Sequence, residues 1–350
     1  MKNYDYEKHL IVTESTIKEA LARLNELASD AILFVVTDKK MLMGSLTDGD
    51  VRRGFLSGLD INSKVDEFIQ KEPKFIQRGD YTIQEVIAYR EKNYRILPVV
   101  DKDRVIVNII NFSFFKSYLP VDTVIMAGGR GERLKPLTDD LPKPLLKVGD
   151  KPIIEHNLDR LIGYGVDDFW ITVRYLGNKI KDYIGDGSAK GVNVKYIDED
   201  LPLGTIGALS LIDKFEHDYI LVTNSDVLTN LDYERFFLEF IDSDADFSVA
   251  TIPYNVNIPY AILETSGGII QDFKEKPTYT YFANAGIYLM KKSICNKIPN
   301  HEFYNATDLL DLLIKENYKV TSYPLRGYWL DIGKHDDYIK AQEDINYIKF

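Results

Sequence analysis

The sequence predicts an α/β protein: a mainly parallel sheet with helices on both faces, preceded by a smaller α/β region made of two copies of one unit. Three observations predict it. From about residue 121 onward, apolar strand-like runs alternate with helical periodicities. The first 120 residues carry one strand-and-helix pattern twice, at a period of about 63–66 residues. Charge then divides the chain at the same place. Residues 1–120 hold 18 Lys+Arg and 18 Asp+Glu, and the remainder holds 25 and 36, which is the whole of the net charge of −11.

In the first copy, STIKEALARLNEL (15–27) reads as a helix, AILFVVTD (31–38) as a buried strand, and MLMGSLTDGDVRRGFLSG (41–58) as a strand followed by an Asp-capped helix. The second copy runs YTIQEVIAYREKN (81–93), RILPVVD (95–101) and VIVNIINFSFFKSY (105–118). Thr16-Ile17 aligns with Thr82-Ile83, and Val36-Thr37-Asp38 with Val99-Val100-Asp101. Pro120 closes this region, since proline disfavours continuing what precedes it. The expected domains are therefore 1–119 and 120–350. In the second, strands are expected at 123–127, 168–174, 193–197, 219–223, 246–252, 282–290 and 319–323. Helices are expected at 153–164, 176–184, 206–213, 232–242 and 307–317.

Composition excludes several functions. Hydrophobic residues are 45% and charged residues 28%, and no apolar run approaches the roughly 20 residues that cross a bilayer. MKNYDYEKHL lacks the apolar core of a signal peptide. Cys295 is the sole cysteine, and the five His show no HxxxH or HExxH spacing. An internal disulfide and a cysteine-based zinc site are excluded, a cytoplasmic location is expected, and Cys295 reads as a small buried apolar residue. An acidic second domain argues against nucleic acid as partner. Yet Arg130, Arg133, Lys135, Lys143, Lys147 and Lys151 gather around one loop, VIMAGGRGERLKPLTDDLPKPLLKVGDKPIIEH (124–156). A basic loop in an acidic domain points to a small anion such as a nucleotide.

Neither common phosphate motif fits this loop. Leu134 stands where GxGxxG needs its third glycine, and GxxxxGK[ST] is absent. What remains is Ala127 followed by GGRGERLKPLT and PKPLL. Gly128, Gly129 and Gly131 let backbone amides turn toward a phosphate. Arg133 offers a planar donor fork, and Lys143, between Pro142 and Pro144, adds a charge from a stiffened segment.

GGxGxRLxPLT…PKP resembles the signature of the sugar-1-phosphate nucleotidyltransferases, and the resemblance covers residues 121–345. It implies a Rossmann-like core, Mg²⁺ as cofactor, and an NTP and a sugar 1-phosphate as substrates. It also implies that the loop from Ala127 wraps the triphosphate, with Arg133 on the β- and γ-phosphates and Lys143 on the reacting phosphates. DEDLPLGTIGAL (198–209) resembles the family's base-binding segment, with Glu199, Gly204 and Thr205. A carboxylate at Glu199 can accept from the N1–H and N2–H of guanine, which favours GTP; a solvated loop acid is the plain alternative. In YILVTNSDVLTN (219–230), Asp226 at a strand tip suits a hard cation and matches the family's metal ligand. EKP resembles the sugar-contacting Glu275 and Lys276, with Lys276 on the sugar phosphate, and NAGIY (284–288) supplies Asn284 and Gly286 to the sugar pocket. Asp331 in WLDIG matches the second metal ligand, with Trp329 beneath it and His335 read as structural.

The two-copy region resembles a tandem CBS pair over residues 8–118. That resemblance implies an adenine nucleotide at Thr47 and Asp50, with Ile110 and Ser113 departing from the pattern in the second copy; packing or orienting the chain is the alternative. The combination resembles enzymes making GDP-activated amino sugars for legionaminic-type pathways, which implies glucosamine 1-phosphate as substrate and a homo-oligomer as assembly. dTTP, UTP or CTP with glucose or mannose 1-phosphate, and a non-catalytic nucleotide sensor, are the competing readings.

Overall fold

A computed structural model describes residues 5–348, so the first four residues of the MKNYDYEKHL segment lie outside the described residues. The chain forms two compact units that do not follow chain order. Residues up to Val121 group with 159–168 and 185–194, and the remaining residues form the second unit.

The first unit is built on a repeated three-stranded sheet. Strands β1 (Leu10–Val12), β2 (Leu33–Val36) and β3 (Leu42–Leu46) lie in that order, with helix α1 (Ile17–Leu27) between β1 and β2 and α2 (Asp48–Leu56) after β3. Strands β4 (Ile76–Gln77), β5 (Ile96–Val100) and β6 (Ile106–Asn111) repeat the order, with α3 (Ile83–Glu91) in the place of α1. In each copy the first pair is parallel and the second antiparallel. The Thr-Ile alignment has a physical cause. Thr16 with Glu19, and Thr82 with Glu85, close the same reciprocal capping box at the start of α1 and α3. Phe34 and Val36 on one face of β2 pack with Ile96, Val100, Ile106 and Ile109, joining the two copies in one core. After β6 the chain makes a turn where the first copy has α2.

The second unit carries a seven-stranded, mainly parallel sheet in the order β11-β10-β7-β12-β17-β14-β18. Its strands are β7 (Val121–Met126), β10 (Asp168–Val173), β11 (Asn193–Asp198), β12 (Tyr219–Asn224), β14 (Phe247–Asn257), β17 (Thr278–Lys291) and β18 (Val320–Pro324). β17 runs antiparallel to both neighbours, β12 and β14. Short pairs β8 (Lys147–Val148) with β9 (Lys151–Pro152), β13 (Val227–Thr229) with β19 (Trp329–Asp331), and β15 (Ile262–Ser266) with β16 (Ile269–Lys274) lie outside it. The helices are α4 (Ile153–Gly163), whose second half groups with the first unit, α5 (Gly177–Ile184), α6 (Tyr233–Asp242), α7 (Ala306–Lys315) and α8 (His335–Asp344). Central strands are buried on both faces, as helices on both sides require: β7 is buried at Val121 through Ile125, including the polar Asp122 and Thr123. One core joins Val124, Val222, Phe247 and Met290 of the sheet to Leu309 and Leu313 of α7.

The helix expected at 206–213 is instead a 3₁₀ segment, Gly207–Leu211. The N–H groups of Ile206 and Gly207 both bond to the carbonyl of Tyr304, at 3.2 and 3.1 Å. Gly204 has φ +78°, and a Cβ there would fall 2.5 Å from the same carbonyl oxygen. This segment is moulded to the 302–305 backbone rather than to its own preceding turn. Among the described residues no helix is long and apolar enough to cross a membrane.

Candidate active site

Four neighbouring strands of the sheet end at one cleft. β7 runs into Gly128 and Gly129, β10 into Arg174, β11 into Glu199, and β12 into Asn224, Ser225 and Asp226. Ligands bind beyond the carboxyl ends of strands in such sheets. The cleft has a volume of about 270 Å³, and Lys143, Gly204, Thr205 and Phe303 complete much of its wall.

The glycines do different work. The N–H groups of Gly128, Gly129 and Gly131 bond to no protein acceptor among the described residues, which leaves a run of amides suited to an anion. A Cβ on Gly128 would meet Glu199 Oε1 at 2.7 Å, whereas at Gly129 it would meet open space. Gly131 does not line the cleft. It adopts φ +64° and packs on Lys143, and its carbonyl accepts the Thr138 hydroxyl at 2.9 Å. Ala127 is committed to the sheet, its N–H bonding to the Thr172 carbonyl at 3.0 Å.

Lys143 opens a 3₁₀ turn, Lys143–Leu145, and is 8% exposed. Its ammonium is paired with Asp226 Oδ2. β13 and β19 hold Asp226 beside Asp331: Val227 pairs with Asp331, and the Ile332 N–H donates to the Asp226 carbonyl at 3.0 Å. Burial raises the Asp331 carboxyl above the ordinary range, and the Asp226 charge raises it further, against the pull of Lys143 and Arg133. Arg133 lies over Gly333, its guanidinium 3.4 Å from where a Cβ would stand. The structure therefore gathers Arg133, Lys143, Asp226 and Asp331. One apolar cluster holds all four from below: Leu134, Leu146, Leu228 and Ile332 belong to it, each within three residues of one of these charged positions.

Asp226 Oδ1 and Asp331 Oδ1 are buried without a hydrogen-bond partner. Two orphaned carboxylate oxygens on adjacent strands are the donor set a hard divalent cation takes, so the residues present fit Mg²⁺. Glu199 is 7% exposed. Its Oε2 accepts from the Leu203 N–H at 3.2 Å, and its Oε1 has no partner. Burial raises its carboxyl, while the Leu203 amide, the Thr172 hydroxyl and, least, the charge of Arg174 act in the opposite sense.

The remaining expected residues fall as follows. Thr205 lines the cleft, and its hydroxyl accepts the first N–H of α7, from Ala306, at 2.9 Å. Asn284 Oδ1 accepts the Gly286 N–H at 2.9 Å, and its amide donates to the Tyr288 hydroxyl at 2.9 Å. Gly286, at φ +72°, makes room for Asn224, whose Nδ2 lies 2.5 Å from a hypothetical Cβ. The Trp329 indole donates to the Ala285 carbonyl at 2.9 Å, tying β19 to β17. Glu275 and Lys276 are exposed at the turn between β16 and β17, outside the cleft lining. His335 accepts no catalytic position; its Nε2 bonds the Lys135 carbonyl at 2.8 Å. Cys295 is partly buried, and burial pushes its thiol up to about 12. In the first unit, Asp50 Oδ2 takes both the Thr47 N–H, at 2.8 Å, and the Thr47 hydroxyl, at 2.6 Å, and Oδ1 takes Arg53. Sequence reasoning missed Arg174, Phe303 and Gly333. Arg174 ends an expected strand, and that position was the available signal.

A model of the nucleotidyl transferase family matches residues 122–347. Similar curated proteins include a mannose-1-phosphate guanylyltransferase of Mycobacterium tuberculosis, 28% identical over 64% of this chain and 64% of that protein. The bifunctional protein GlmU of Methanocaldococcus jannaschii is 31% identical over 64% of this chain and 54% of its own length. The chain thus spans less than two thirds of the length of these curated relatives. Among solved structures, HddC from Yersinia pseudotuberculosis aligns with a TM-score of 0.51 at 29% identity, over 64% of this chain and 99% of that one.

Proposed function

The chain belongs to the nucleotidyl transferase family, and from that premise we propose that it transfers a guanylyl group from GTP to a sugar 1-phosphate, releasing pyrophosphate. The observation that carries this reading is the convergence of Arg133, Lys143, Asp226 and Asp331 beside a cleft lined by the unpaired amides of Gly128 and Gly129.

In this reaction a phosphate oxygen of the sugar 1-phosphate attacks the α-phosphorus in line. A new P–O bond forms, and the bond to the bridging oxygen of the β-phosphate breaks. The attacking phosphate is already anionic near neutral pH, so no general base is needed; the obstacle is repulsion between two anions. Arg133 and the amides of Gly128 and Gly129 bind the triphosphate. Lys143 is buried and already directed at the acids, so its ammonium is oriented before substrate arrives. Asp226 and Asp331 would hold Mg²⁺, which supplies charge neutralisation when bound. Glu275, Lys276, Asn284 and Gly286 are read as the sugar side of the site, and Lys276 as the partner of the sugar phosphate. Support for guanine comes from the buried Glu199 carboxylate, which suits the N1–H and N2–H donors of that base, and from relatives named as guanylyltransferases.

Glucosamine 1-phosphate is our choice of sugar. The test is a pyrophosphate-release assay with the four NTPs against glucosamine, mannose and glucose 1-phosphates. GTP turnover at least tenfold above the other nucleotides supports the reading, and no release with any pair refutes it.

For the N-terminal unit we propose a CBS pair acting as a scaffold, on the support of its two sheets of identical order and pairing. The Thr47 and Asp50 side chains, engaged with each other and with Arg53, serve to start α2. Stabilisation of the chain by AMP or ATP that is lost in Asp50→Ala would make this a nucleotide site instead.

A further inference from the structure

The base end of the cleft holds a cation that the family motifs do not assign. Arg174 follows the last residue of β10, next to Glu199, which follows the last residue of β11, and the two strands are neighbours in the sheet. Both residues line the same cleft. Arg174 is half-buried, and its side chain makes no ion pair or hydrogen bond among the described residues. It is close enough to Glu199 to act on its charge. Arg174 is kept at the cleft with its donors unspent, near the buried Glu199 carboxylate, whose Oε1 has no close hydrogen-bond partner.

The two groups are complementary to one base. Glu199 can only accept, and guanine presents adjacent donors at N1 and N2. Arg174 can only donate, in a planar fork, and guanine presents adjacent acceptors at O6 and N7, the pair that arginine reads bidentately in other settings. Adenine reverses the polarity at position 6 and would set an amino group against a guanidinium. Uracil and thymine offer one donor and no N7.

Resting on the guanylyl-transfer reading above, we propose that Arg174 is a specificity residue that reads the O6/N7 edge of guanine while Glu199 reads N1–H and N2–H. Together the two residues hold the base in one plane and one orientation. A hydrophobic pocket alone gives weak discrimination, whereas unpaired polar groups reject a wrong base strongly.

The test compares the parent chain with Arg174→Gln. The expected result is a fall of roughly 10- to 100-fold in kcat/KM for GTP, with the same fall for ITP, which keeps O6 and N7 and lacks the N2 amine. Inorganic tripolyphosphate should inhibit parent and variant equally. A variant with unchanged GTP kinetics overturns the proposal, and so does weakened inhibition by tripolyphosphate, which would make Arg174 a phosphate ligand. Arg174→Lys keeps the charge beside Glu199 without the fork; it serves as the second variant if Arg174→Gln folds poorly, and it should show the GTP defect too. GTP affinity measured by titration calorimetry scores both variants without turnover. A parent that binds GTP with the Arg174 dependence described but releases no pyrophosphate would refute the proposed reaction and leave the base assignment standing.

Discussion

Asp50 and Asp226 are both aspartates beside a cation, and they differ in how completely they are satisfied. Asp50 spends both oxygens locally, on the Thr47 N–H and hydroxyl and on Arg53. Asp226 spends one on Lys143 and leaves the other buried and unpartnered, and neighbouring Asp331 also has an orphaned buried oxygen. A closed set of bonds holds a helix in place. An open set lowers the stability of the empty protein, and that cost is offset only by what later fills it. The degree of completion, rather than the presence of an acid, separates a ligand site from a cap.

Four substitutions break or sharpen this contrast. Lys143→Ala has the largest expected effect: loss of pyrophosphate release by about 10³-fold or more, with the native fold retained by circular dichroism. Wild-type-like rates would end the comparison. Gly131→Ala comes next. It forces a Cβ to within 2.9 Å of the Lys143 Cβ at φ +64°, and should cost about 1–2 kcal/mol of stability and a tenfold or larger fraction of kcat, read by urea unfolding and steady-state kinetics.

Glu199→Gln sharpens the contrast from the other side. The folded Glu199 carboxyl binds its proton more tightly than the unfolded one, because burial raises it. Its ionised form therefore costs stability above that raised value, and the cost vanishes as pH falls through it. The variant should be about 1 kcal/mol more stable than the parent at neutral pH, and urea titrations should show that advantage shrinking as pH falls toward the ordinary glutamate range. Asp50→Ala has the smallest functional effect: about 0.5–2 kcal/mol of lost stability, the worth of a helix cap, with kcat for pyrophosphate release unchanged. A loss of turnover there would count against the scaffold role proposed for the first unit.

Most of the seven main strands were legible because they carry apolar runs, and each begins and ends within about five residues of its expected place. The short pairs were not. β13 and β19 have three residues each and are separated by about a hundred positions, so no local period reveals that Asp226 and Asp331 meet. The family motif supplied that juxtaposition. Gly131 illustrates a different limit. Its motif position suggests phosphate contact, but its conformation and its packing on Lys143 depend on a fold-back through Thr138. Arg174 carried no motif; its chemistry emerges only when β10 and β11 are set side by side. The 206–213 segment has a helical apolar pattern, and two close approaches to the 302–305 backbone overrule it.

The apolar cluster of Leu134, Leu146, Leu228 and Ile332 has a consequence for how this chain tolerates change. Trimming a methyl group there would read as an ordinary loss of packing in any unfolding experiment. It would also let four charges drift apart by fractions of an ångström, so on the proposed reaction the loss of stability would come with a loss of rate. Selection for speed and selection for a well-filled interior are, at those four positions, the same pressure.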